Sequence, residues 1–155
     1  MEFDLLKRVL AALEARSVRY AIFGAVALNL HGLARSTEDL DLFVEPEAAN
    51  IDRLRLALND AIGDPEIANI TAEDLLGAYP AIQYFPPGGE FHIDILTRLG
   101  DAFAFSDLET QRIAFEELTV TTVTPRMLYR MKRGTVRHKD RADAAAIRER
   151  FGLDE

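Results

Sequence analysis

The stretch YAIFGAVALNLHGLARSTEDLDLFV, from Tyr20 to Val44, decides the fold. It reads as strand, short helix, strand. The first strand covers Tyr20 to Phe23 and ends at Gly24. Residues 25 to 33 suit a helix, loosened at its end by Gly32. From Glu38 to Val44 the chain alternates strictly, with Leu40, Leu42 and Val44 on one face and Asp39, Asp41 and Phe43 on the other.

Two carboxylates on one face of an otherwise apolar strand are costly. At roughly 6 Å and an effective dielectric near 20, their repulsion is about 3 kcal/mol. Exposure, protonation of one partner, or a cation between them would relieve it. Hard divalent ions take oxygen ligands, and a few carboxylates beside a substrate phosphate suit Mg²⁺. The alternative is an exposed edge strand with an acidic outer face.

Gly24-Ala25, then thirteen residues, then Asp39-Leu40-Asp41-Leu42 resembles the signature of the nucleotidyltransferase superfamily, the DNA polymerase β-like fold. Within it, His31-Gly32 and the spacing Arg35-x-Thr37-x-Asp39-x-Asp41 are most similar to AbiEii-type toxins and related small bacterial nucleotidyltransferases. Lincosamide and aminoglycoside nucleotidyltransferases are more distant. The family pattern usually has Gly-Ser or Gly-Gly at the first site; here Ala25 removes a hydroxyl that could touch a triphosphate. The resemblance implies that Asp39 and Asp41 hold Mg²⁺ (or Mn²⁺) bridging the phosphates of an NTP. It implies that Gly24 and Ala25 lie beside those phosphates.

Composition bounds the rest. The 155 residues suggest one domain. They are 48% hydrophobic, enough for a core, and 28% charged. No run of eighteen apolar residues suggests a membrane span, and the acidic start Met1-Glu2-Phe3-Asp4 is unlike a secretory signal. With no cysteine there are no disulfides, thiolate metal sites or cysteine nucleophiles; a cytoplasmic bacterial-type protein fits. A net charge of −8 argues against bulk electrostatic binding of duplex nucleic acid. Yet seven of the eighteen Lys and Arg fall between residues 126 and 141. That asymmetry suggests either a local anion site on an acidic body or a solvated helical hairpin.

Local signals set the remaining elements. Residues 2 to 16 read as a helix with Leu5, Leu6, Val9, Leu10 and Leu13 on one stripe. A second helix runs from Pro46 to about Ile62. Thr71-x-x-Asp74 looks like a cap for a short helix. Strands are expected at 81–85 and 91–96 around Pro86-Pro87-Gly88-Gly89. In the second, Asp94 interrupts an apolar run, with His92 on its face. The family resemblance places a third metal-liganding or base-forming aspartate on such a strand, and Asp94 matches it; His92 reads as an ordinary exposed histidine, with contact to substrate as the alternative. Residues 100–109 read as loop and helical turn, and 110–116 and 118–123 as strands. Thr124-Pro125 starts a helix to about Arg133. A last helix, from about Arg137 to Phe151, would pack through Ala142, Ala145, Ala146 and Ile147.

That C-terminal hairpin, Met131-Lys132-x-x-Thr135-x-Arg137-x-Lys139-Asp140-x-x-Asp143, also looks like the AbiEii pattern. Lys132, Arg137 and Lys139 are the candidate phosphate contacts, since a triphosphate carries excess negative charge. Arg35, in the loop before the acidic strand, would reach a phosphate or pair with an aspartate of the site. His31 suits a packing and hydrogen-bonding role. No Walker loop is present.

The expected fold is α/β (α+β): a short mixed sheet backed by helices, core 18–123, with a C-terminal helical hairpin over 124–152, all one nucleotidyltransferase-like domain, residues 1–155. The resemblance implies transfer of an NMP from an NTP to an acceptor hydroxyl on RNA such as tRNA, protein or a small molecule. Two metal ions near Asp39, Asp41 and Asp94 would serve both attacking and leaving oxygens. The toxin of a toxin–antitoxin pair, with a cognate antitoxin as partner, is one role. The alternatives are an inactive partner or antitoxin binding module and an antibiotic nucleotidyltransferase.

Overall fold

A computed structural model describes residues 3–35, 38–88, 91–133 and 138–153, with side chains except at Arg133, His138, Lys139, Asp140 and Arg141. Six strands form one mixed sheet. At its centre, β1 (Tyr20–Phe23) pairs antiparallel with β2 (Asp39–Val44), Phe23 facing Asp41. On the far side of β2 lies β4 (His92–Leu96), parallel to it, and then the edge strand β3 (Ala81–Tyr84), antiparallel to β4. On the far side of β1 lie β8 (Leu118–Val123), parallel to it, and the edge strand β7 (Thr110–Phe115). The acidic strand is therefore internal. The edge-strand reading is wrong because β4 takes up the hydrogen bonds on the free side of β2.

The alternation of β2 becomes a division between core and site. Leu40, Leu42 and Val44 are fully buried with Ile93 and Ile95 of β4, while Asp39 and Asp41 stay half-buried. Phe43 departs from that pattern: it shares the aspartates' face but is fully buried. Phe23 and Phe105 cover it, their ring centroids 6.1 and 6.3 Å away. Phe105 opens a 3₁₀ turn, Phe105–Asp107, behind the two-residue strands β5 (Arg98–Leu99) and β6 (Phe103–Ala104). Among the described residues, Asp39 and Asp41 at the other end of this face stay partly exposed.

The helices α1 (Phe3–Ala15) and α3 (Ala48–Ala61) pack together, and their apolar stripes join the sheet in one core. Pro46 stands just ahead of α3, rather than inside it. Asn50 is fully buried yet satisfied. Its Oδ1 accepts from the Arg19 N–H at 2.8 Å, and its Nδ2 donates to the carbonyls of Arg19 and Glu45 at 2.9 and 3.0 Å. A 3₁₀ helix, Pro65–Asn69, follows α3, capped by Asp64. Thr71 caps α4 (Ala72–Leu76) as its motif predicts, Oγ1 accepting from Asp74 N–H at 3.2 Å. Thr124 does the same for α5 (Pro125–Arg133) through Met127 N–H at 3.2 Å.

The helix after β1, α2, is shorter than expected: Gly24–Leu30, then a turn through Gly32 at φ +91°. The last helix, α6 (His138–Phe151), packs through Ile147 as expected, with Ala146 half-buried, but its inward face is turned away from Ala142 and Ala145. Asp143, Ala144 and Ile147 are buried, whereas Ala142 and Ala145 are exposed. Among the described residues, no helix is long and apolar enough to cross a membrane.

Candidate active site

The register of β2 and β4 builds the site. Asp39 lies beside His92 and Asp41 beside Asp94, so all four side chains leave one face of two neighbouring parallel strands. Ligand atoms of Asp39, His92 and Asp94 lie within 4.8 Å of one another. His92 Nε2 is 3.4 Å from Asp94 Oδ2 and 3.8 Å from Asp39 Oδ2. The ordinary exposed histidine expected from the sequence is in fact wedged between two carboxylates. Phe85 holds it from outside, with ring centroids 5.0 Å apart.

Asp41 stands beside this trio. Its pKa is pushed up to about 8, first by burial, then by the charge of Asp39, the hydrogen bond it shares with Asp94, and the charge of Asp94. Lys132 pulls the other way. Its carboxylate fills the space above Gly24, whose φ is +70°. The close approach that this glycine permits is that of Asp41. Ala25 follows in the first turn of α2, half-buried. Asp94 Oδ1 is buried with no hydrogen-bond partner among the described residues. A cavity of about 280 Å³ opens beside Asp41 and Asp94, walled by Phe23, Ala81, Gln83 and Leu96.

The cations come from two distant segments. Arg35 follows the α2 turn. Its backbone is clamped by Asn29 of α2, whose Oδ1 accepts from Arg35 N–H at 2.8 Å and whose Nδ2 donates to Arg35 O at 3.1 Å. Its guanidinium reaches Asp143 of α6 rather than an aspartate of the acidic cluster, Nε donating to Oδ1 at 2.7 Å with Nη2 at 2.6 Å. Lys132 of α5 meets the other oxygen of Asp143, Nζ to Oδ2 at 3.3 Å. Arg137 and the side chain of Lys139 lie outside the described residues. His31 has the packing role expected of it. Nε2 is 2.8 Å from the carbonyl of Val123, and its ring meets Phe151 edge-on at 6.0 Å.

The family described as "Nucleotidyl transferase AbiEii toxin, Type IV TA system" matches residues 5–144. The chain belongs to the AbiEii nucleotidyltransferase family. Solved nucleotidyltransferases share its fold. The lincosamide antibiotic adenylyltransferase LnuA, lincomycin-bound, is similar at a TM-score of 0.61 and 13% identity, over 96% of this chain and 97% of that one. ANT(2″)-Ia, in complex with adenylyl-2″-tobramycin, is similar at 0.58 and 13%, over 96% and 88%. An antigenic nucleotidyltransferase-like protein from Paracoccidioides brasiliensis is similar at 0.55 and 17%, over 93% and 74%. At these identities the likeness is one of fold. A search among curated proteins finds no match.

Divalent cations serve nucleotidyltransferase folds generally, and the residues of this AbiEii-family chain fit one. Burial and then the neighbouring carboxylates raise the Asp41 pKa, and an Asp94 oxygen is buried with no hydrogen-bond partner among the described residues. A cation supplies the positive charge both lack. Oxygen-rich surroundings suit Mg²⁺ or Mn²⁺, and the imidazole of His92 adds a donor that transition metals use more readily than Mg²⁺. Three features of this AbiEii-family site were not read from the sequence. They are the wedged His92, the Asn29 clamp and the position of Asp143. Only the alternation that puts His92 on the face of Asp94 hinted at the first.

Proposed function

We propose that this protein transfers a nucleoside monophosphate from an NTP to an acceptor hydroxyl. The acceptor oxygen forms a bond to the α-phosphorus, the bond from that phosphorus to the bridging oxygen breaks, and pyrophosphate leaves. The observation that carries this reading is the register that sets Asp39, Asp41 and Asp94 on one face of β2 and β4, with ligand atoms of Asp39, His92 and Asp94 within 4.8 Å of one another. Such a face is built to receive positive charge.

In this reading Asp39, Asp41 and Asp94 hold the metal, with His92 as an additional donor. When bound, Mg²⁺ or Mn²⁺ neutralises phosphate charge and stabilises the attacking and leaving oxygens. Asp94 also takes the proton of the acceptor hydroxyl, since it lines the cavity beside Asp41 and its Oδ1 has no hydrogen-bond partner among the described residues. Gly24 and Ala25 border the phosphates. Lys132 and Arg35 contact phosphate oxygens from the opposite side, joined by Arg137 and Lys139 on the strength of their motif. The cavity beside Asp94 receives the acceptor against Phe23 and Leu96. A single catalytic domain suffices for these parts, and an NTP substrate places the reaction in the cytoplasm. The family supports the role of toxin with a cognate antitoxin. The acceptor is an RNA such as tRNA, a protein or a small molecule.

Isothermal titration of each NTP with Mg²⁺ and with Mn²⁺, on wild type and on Asp39→Ala/Asp41→Ala, tests this reading. Metal-dependent binding that the double variant loses supports it and selects the nucleotide. Labelled NTP then marks the acceptor in cell extract, and turnover stimulated by a lincosamide or aminoglycoside would assign the antibiotic class. No binding by any NTP would leave a partner-binding module with a vestigial site.

A further inference from the structure

Among the described residues, Asp143 is a buried charge to which the mechanism gives no task. Asp143 is 4% exposed on its side chain and sits on a helix whose neighbouring positions are alanines. A buried carboxylate is costly unless it is paired. Here it is paired twice, and by cations from opposite ends of the chain. Arg35 takes Oδ1 and Lys132 takes Oδ2.

The geometry assigns to Asp143 the role of a positioning residue, one that orients Arg35 and Lys132 together toward the phosphates of the nucleotide. This rests on the nucleotide reading above and names what makes its anion side. The consequences of the pairing are physical. Each cation on its own would sample many rotamers, and that freedom is lost when an anion binds. A shared carboxylate removes it in advance. It also lets two like charges stand close together, because its single negative charge lies between them. The trio keeps a net positive charge, and of the five N–H donors of the Arg35 guanidinium Asp143 engages those on Nε and Nη2, while Nη1 donates to the Ala34 carbonyl at 2.9 Å. Lys132 is near enough to the acidic cluster to oppose the rise in the Asp41 pKa. The pairing thus ties the segment after α2 to both helices of the C-terminal hairpin through one side chain. Asp143 acts only through these two residues and touches no reacting atom.

The test uses magnesium tripolyphosphate, which has the phosphates of the substrate without its base. Its affinity is measured by calorimetry for wild type, Asp143→Asn, Arg35→Ala/Lys132→Met and the triple variant. Partners that orient metal-binding side chains typically contribute about 10- to 100-fold; on that scale Asp143→Asn should weaken binding about 10-fold or more. The triple variant should bind no more weakly than Arg35→Ala/Lys132→Met, because Asp143 has nothing left to hold. A simple structural role would instead add its loss in both backgrounds. The Arg35 Nε–H resonance of wild type gives a readout that does not depend on any variant folding. It should keep its hydrogen-bonded shift when tripolyphosphate binds. Its release on binding would make Asp143 a competitor for the cations and overturn the proposal. So would wild-type affinity in Asp143→Asn, or additive losses in the triple variant. Wild type that binds no tripolyphosphate at all defeats the nucleotide reading and this role with it. Wild type that binds, with Asp143→Asn equal to it, defeats only the role of Asp143.

Discussion

Gly24 and Asp41 occupy adjoining space: a Cβ placed on Gly24 would stand 2.0 Å from Asp41 Oδ2 and 2.9 Å from its carboxyl carbon. The glycine that ends β1 is therefore matched to the carboxylate at the centre of the site. Its φ of +70° adds a second constraint, since L side chains are strained in that region. Gly24→Ala should lose about 1–2 kcal/mol from the backbone alone, with more from displacing Asp41. Urea unfolding measures the total. The same substitution in an Asp41→Ala background should cost less, because the oxygen it strikes is gone. Equal costs in both backgrounds would rule out the contact as the cause.

Asp41 also makes a pH dependence. Its folded pKa, about 8, lies above the unfolded value near 3.8. Between those values the folded protein binds the extra proton, so stability falls as pH rises through that window. Thermal unfolding from pH 5 to 9 should show wild type losing stability, Asp41→Asn giving a flatter profile, and Mn²⁺ reducing the slope. Glu14 acts in a separate window. Burial alone would raise its pKa, but Arg112 and Tyr20 hold it below the usual value. Its contribution is lost as pH falls through the acidic range.

His92 should discriminate between metals. Lying 3.4 Å from Asp94 and 3.8 Å from Asp39, it offers nitrogen where the other donors are oxygen. His92→Ala should weaken Mn²⁺ by about 10-fold, on the scale of a lost ligand-site group, and weaken Mg²⁺ less. Calorimetry with each ion on the same preparations checks this. Equal losses would mean the imidazole only supports the aspartates.

Asn50 separates stability from function. Losing its side chain strands the Arg19 N–H and the carbonyls of Arg19 and Glu45. Each such group costs about 1–3 kcal/mol when buried, so Asn50→Ala should destabilise by about 2–4 kcal/mol in total after partial relaxation. NTP affinity measured well below the melting temperature should stay at the wild-type level.

What the sequence determined by itself was local. The period of two placed Leu40, Leu42 and Val44 opposite Asp39 and Asp41, because successive side chains of a strand point to opposite sides. Thr71 and Thr124-Pro125 announced helix starts through bonds spanning three residues. The family motif carried the functional class, since it lies within one continuous stretch. Tertiary structure decided what depends on distant partners. That β2 is internal, and that Asp41 lies beside Asp94, follows from pairing between strands some fifty residues apart, for which period-two alternation carries no register. The sequence pointed Ala142, Ala145, Ala146 and Ile147 inward on α6, but in a run of alanines several stripes bury similar apolar area. Arg35 and Lys132 settled it by drawing Asp143 inward, because a buried carboxylate is stable only where its counter-charges already stand.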